Sequence, residues 1–154
     1  MTYFLLKTLH IVSAAVLLGT GAGIAFFMLM AHRARDLQGL RMVTRHVVLA
    51  DWLFTAPAVV VQLITGFLLM RTLGWPHTSA WLKMVLALYV MVGGCWLPVV
   101  WIQMRLARLV AAAPGIEALG PGYWKLYRCW LVFGAPAFSG VLALIWLMVA
   151  KPGL

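Results

Sequence analysis

Charge is scarce in this chain. Only 10% of its 154 residues are Asp, Glu, Lys or Arg, and just 3 of them are acidic. A water-soluble domain carries about 25% charged residues, so a soluble fold is excluded. Cysteine is also scarce. Cys95 and Cys129 form neither a CxxC pair nor a Cys-x-x-Cys-His motif. That excludes covalent haem attachment and argues against a zinc site, and both read as small core residues. No low-complexity tract, internal repeat or nucleic-acid module is present. The formal net charge of +9 therefore reflects cations placed in loops by the positive-inside rule, and no nucleic-acid partner is expected.

What fills the chain is apolar: 65% of residues are hydrophobic, and the mean hydropathy is +1.01. There is room for four membrane-spanning helices, placed at about 3–31, 47–70, 80–109 and 123–150. The expected fold is all-α, a single transmembrane domain over 1–154, arranged as an up-and-down four-helix bundle in a lipid bilayer. The first apolar run is too long, and its basic start too weak, for a cleaved signal peptide. Pro57 should disturb the second helix locally. Gly74, Trp75, Pro76 and His77 make a turn, and Lys151-Pro152 ends the fourth helix.

Orientation follows from the cations. Arg33, Arg35, Arg41 and Arg45 crowd one loop, and Arg105, Arg108, Lys125 and Arg128 the other loop on the same side. Both regions should be cytoplasmic, which puts the two termini and the Gly74–His77 turn outside.

The stretch Thr8–Ala31 holds one ionisable residue, His10. A histidine inside a membrane helix is costly unless it meets protein, water or a cofactor. It shares a helical face with Lys7, Ser13, Ala14, Leu17 and Gly21. Two readings stand: a core histidine bonded to a neighbouring helix, or an axial haem ligand, with Ser13 and Gly21 beside the cofactor. Lys83 shares a stripe with Ala87, Val90, Gly94, Trp101, Arg105 and Arg108. It is expected to face the interior, with Gly94 giving room, and snorkelling to the headgroups is the alternative. Asp51 shares a face with Thr55, Ala58, Gln62 and Thr65. It should pair with Arg105 or Arg108 at the cytoplasmic end. His32 and His46 are expected to be solvated, His77 to be a loop histidine close in depth to Lys83, and most of the nine methionines to be packing residues.

Four pieces then match a known pattern in order and spacing. They are Lys7-Thr8-Leu9-His10-Ile11, Ala56-Pro57 with Thr65-Gly66, Trp81-Leu82-Lys83-Met84, and Val149-Ala150-Lys151-Pro152. On these the chain resembles the HemJ-type protoporphyrinogen oxidases and their bacterial membrane relatives, with a more distant likeness to CopD-type copper-resistance proteins. The resemblance implies a multi-pass protein of the bacterial inner membrane that binds haem b. Its essential pair carries over to His10, the iron ligand, and Lys83, which would contact a carboxylate or move a proton. It further implies an oxidoreductase of porphyrin biosynthesis, with a porphyrinogen substrate and electrons passed to quinone; a homo-oligomer is compatible with the sequence but not specified by it. The segment Tyr123-Trp124-Lys125-Leu126-Tyr127-Arg128 and the first loop depart from that family, which points to a different substrate. A non-catalytic haem subunit of a respiratory complex and a copper- or solute-handling protein are the competing functions.

Overall fold

The computed structural model describes residues 1–75 and 79–151. The expected turn residues Pro76 and His77 and the stop at Pro152 lie outside the described residues. The elements are α1 (Thr2–Ala34), α2 (Leu37–Ala50), a π turn (Asp51–Thr55), α3 (Ala56–Leu73), α4 (Ala80–Ala112), a 3-10 turn (Ile116–Ala118) and α5 (Pro121–Ala150). The α2, π and α3 pieces form one continuous span, so among the described residues four helices are long and apolar enough to cross a membrane. The fold is the all-α, four-helix membrane bundle that composition implied.

The basic stretch after the first span was expected to be a loop up to His46. It is helical from Leu37 onward. Asp36 makes the difference, since its carboxylate accepts from the backbone N–H groups of Gln38 and Gly39 and starts α2 within two residues of the end of α1. Arg35 closes α1 in a left-handed conformation, with φ 51°. Arg41 then reaches across to the far end of α4, donating to the carbonyls of Val110 at 3.3 Å and Ala113 at 2.5 Å. Those carbonyls have no partner within the helix, and a cation there also suits the helix dipole.

Pro57 acts where the sequence placed it. It lacks an N–H and crowds the carbonyl four residues back, and the helix widens just ahead of it. The Ala56 N–H bonds to the Asp51 carbonyl five residues earlier. The widened turn keeps Asp51, Thr55, Ala58 and Thr65 all buried on the inner face.

The four spans pair unequally. α1 packs on α3, and α4 on α5. The main core lies toward the α1–α2 and α4–α5 connections, where Met28, Leu40, Leu106 and Val110 are almost fully enclosed. Toward the chain termini a smaller cluster of Trp81, Leu82, Val85 and Leu147 joins α4 to α5, with Met70 of α3 and Trp75 packed against it. Trp81 anchors it by donating its indole N–H to the Leu147 carbonyl at 2.8 Å. Gly140 is buried against α4 so closely that a Cβ there would collide with Val92.

Candidate functional site: a histidine clamped by the second span

His10 lies about two turns into α1, half-buried. Its ring packs against α3 at Gly66, where an added Cβ would come within 3.2 Å of its Cε1. Three polar side chains hold it. Gln62 Nε2 lies 3.0 Å from His10 Nε2. Thr65 Oγ1 lies 2.9 Å from Nδ1. Ser13 donates to the Gln62 side-chain oxygen at 2.5 Å, and Thr65 donates to the Val61 carbonyl at 2.6 Å. These bonds run in one direction. Thr65 gives its own proton to Val61 and so accepts from Nδ1–H; with the Ser13 proton on the Gln62 oxygen, in preference to the His10 carbonyl 3.0 Å away, the Gln62 amide donates to Nε2. The imidazole is neutral, with its lone pair on Nε2.

Of the expected site residues, the structure brings His10 and Ser13 together and separates the others. Gly21 packs on α5, where a Cβ would sit 3.7 Å from Phe138. Gly94 is exposed on α4. Lys83 is exposed as well, and the expectation that its stripe faces inward is overturned. Val90 at 72% and Trp101 at 52% exposure lie on that stripe, and Arg105 and Arg108 end it exposed. The buried side of α4 carries Leu82, Val85, Val99, Ile102 and Leu106 instead. Lipid is as apolar as leucine, so a bulky apolar stripe marks a lipid face as readily as a core. Lys83 therefore has the surface position that snorkelling requires.

Gln62 and Thr65 were missed as partners of His10. The signal was present: both are polar residues inside an apolar run, one turn apart on the face shared with Asp51. What linked them to α1 was tertiary.

Asp51 also departs from expectation. It is buried, but its partners are not arginines. Trp96 donates its indole N–H to Oδ1 at 3.5 Å. The Gln103 amide, oriented to satisfy its surroundings, donates to Oδ2 and accepts from the Trp130 indole at 3.2 Å. Arg105 turns away, its guanidinium 5.5 Å above the Trp101 ring. Amide and indole donors on helices already packed there satisfy the carboxylate without bringing a guanidinium into the bundle. The buried Thr55 hydroxyl faces the carboxylate and, among the described residues, makes no hydrogen bond of good geometry.

His32 is the third correction. It was expected to be solvated, but it is 6% exposed. Its Nδ1–H donates to the Met28 carbonyl at 2.6 Å, and Nε2 accepts from the Tyr123 hydroxyl at 2.8 Å. Its ring stacks on Tyr127 at 3.7 Å between centroids. The supply of Tyr123, Trp124 and Tyr127 by the start of α5 is what buries it. His46 is exposed, as expected, on α2. Among the described residues no cluster of three His, Cys, Asp or Glu side chains could hold a metal ion.

Four long apolar helices, a buried carboxylate bonded by indole and amide, and a membrane histidine held by side chains define an integral, multi-pass membrane protein. The chain belongs to the family described as predicted integral membrane protein (DUF2269), which matches residues 4–152. No curated protein and no solved structure matches it.

Proposed function

We propose that this chain is a haem b-binding membrane oxidoreductase of the HemJ kind, with His10 Nε2 as the iron ligand and a porphyrinogen or a related molecule as substrate. The observation that supports it is the His10 clamp. An axial histidine must be neutral, with one nitrogen carrying a lone pair and the other anchored by a hydrogen bond. His10 has that form, with Thr65 anchoring Nδ1–H at 2.9 Å. The group on Nε2 is a glutamine amide, a side chain with rotatable bonds, so the donor set fits the cofactor once Gln62 turns aside.

Haem in this position supplies one-electron transfer between the substrate and an acceptor such as quinone. The protein's own part is positional. Thr65 fixes the imidazole plane, Ser13 holds the Gln62 carbonyl, and Gly66 lets the ring lie against α3. Lys83 enters this reading as a surface cation at the outer end of α4, available to a substrate carboxylate or to a second copy of the chain. The HemJ likeness suggests the bacterial inner membrane, and the cation distribution supports an orientation with both termini outside. Labelling an introduced Arg41→Cys thiol from outside intact cells would reverse that orientation.

The test is a reduced-minus-oxidised absorption spectrum of protein purified from haem-replete cells. The wild type should show a Soret band, and His10→Ala should lose it. Gln62→Leu should keep it, because the amide competes with iron for Nε2. Haem retained at wild-type stoichiometry in His10→Ala would sink the proposed ligand. A Soret band without quinone-dependent porphyrinogen oxidation would leave a non-catalytic haem subunit. Unchanged turnover in Lys83→Ala would remove that lysine from the chemistry.

A further inference from the structure

The departure of the Tyr123–Arg128 segment from the HemJ pattern has a structural counterpart at the far end of the bundle from His10. A cleft of about 440 Å³ opens there between the ends of α1 and α5. Among its lining residues, Leu29 and Leu131 lie furthest along their helices toward the bundle's middle, and Trp124, Tyr127, Arg33 and Arg35 nearer the helix ends. The order is the same on both helices. On α1, Leu29 precedes Arg33 by a rise of about 6 Å, and Arg35 follows at the left-handed end of the helix. On α5, which runs the other way, Trp124 and Tyr127 lie nearer the end than Leu131. A second cleft of about 160 Å³ shares Arg35 and Trp124, and its acidic lining residue is Glu117.

We infer that this cleft binds one anionic phospholipid, with the phosphate between Arg33 and Arg35 and an acyl chain along Leu29 and Leu131. A cationic end selects for negative charge, tryptophan and tyrosine suit headgroup depth, and the leucines take a chain. The aromatic lining is built to stay in place. Tyr127 stacks on His32 at 3.7 Å, and His32 is bonded on both ring nitrogens. Both arginines are exposed, so neither is consumed by the core. Glu117 lines the neighbouring cleft together with Arg35, whereas among the described residues no acidic residue lines the larger cleft beside Arg33, which favours Arg33 as the stronger phosphate contact. The site is independent of the haem reading.

Native mass spectrometry of the detergent-purified protein, titrated with phosphatidylglycerol and with phosphatidylcholine, tests it. One phosphatidylglycerol should be retained in preference to phosphatidylcholine. The double variant Arg33→Gln/Arg35→Gln should weaken that binding by about tenfold or more, whereas Arg33→Lys/Arg35→Lys should largely keep it. Arg45→Gln/Arg108→Gln removes the same charge from the same end outside the cleft, and should change binding by less than about twofold. Equal losses in the two Gln double variants would overturn the site in favour of a diffuse basic surface. So would equal retention of both lipids by the wild type. Competition by glycerol phosphate as effective as by the intact lipid would overturn the acyl-chain half of the assignment.

Discussion

The bundle holds its two ends by different means, and its two buried histidines show how. At the loop end His32 is tied to its own helix through the Met28 carbonyl and enclosed by Tyr123 and Tyr127. At the terminal end His10's ring nitrogens are held, among the described residues, by side chains of a neighbouring helix, Gln62 and Thr65, and the residue is half-exposed. Both rings have both nitrogens bonded, yet only one set of partners can let go. His32's partners are a backbone carbonyl and the hydroxyl of Tyr123, whose side chain is buried and has little room to rotate, whereas the half-buried Gln62 amide has that room. The end rich in buried apolar contact is the fixed scaffold, and the end with few such contacts holds the residue that can exchange a partner. In a bilayer this division is natural, because helices gain little from hiding apolar surface and associate through close packing and hydrogen bonds.

That contrast can be broken at the scaffold first. Asp51→Ala strands the Gln103 amide and the Trp96 indole in the interior, and should cost about 3 kcal/mol in a detergent unfolding titration. Asp51→Asn keeps an acceptor and should cost about 1 kcal/mol or less. Were the two variants equally unstable, the negative charge itself would be what matters and a cation would have to be nearby.

His32→Ala removes a stacked ring and two hydrogen bonds, and should lower stability by about 2–3 kcal/mol, followed by intrinsic tryptophan fluorescence on unfolding. His32→Phe keeps the stacking and should recover about half of that loss. A near-neutral His32→Ala would dissolve the distinction between the two ends.

Midway along the bundle, Gly140→Ala pushes a methyl group into Val92, a β-branched side chain with little freedom, and should cost on the order of 1–2 kcal/mol. Thermal unfolding monitored by circular dichroism would measure it. The smallest stability effect belongs to the terminal end. His10→Ala loses two side-chain hydrogen bonds between membrane helices, each worth about 0.6 kcal/mol, so the same titration should move by about 1 kcal/mol. A loss as large as that of Asp51→Ala would make His10 a structural keystone and not a residue poised to exchange partners.

Much of this protein could be read in one dimension. Scarce charge and four apolar runs pointed to a helical membrane bundle, because backbone polar groups in lipid must be bonded as helices or closed barrels, and long continuous apolar runs lack the alternation of barrel strands. His10 stood out for the cost of placing an imidazole there, and Pro57 for its missing N–H. The face carrying Asp51, Thr55, Ala58 and Thr65 was legible because polar residues in a membrane helix turn away from lipid. Only the tertiary structure decided what those groups meet: Gln62 and Thr65 for His10, Trp96 and Gln103 for Asp51, Tyr123 and Tyr127 for His32. It also reversed the stripe through Lys83 and Gly94. Along α4 nearly every side chain is apolar, and neither the lipid nor the core repels such a side chain, so the helix carries almost no signal of which way it faces. Its orientation comes from shape, from the fit of Trp81, Val85 and Val92 against α5, and fit exists only between helices already brought together.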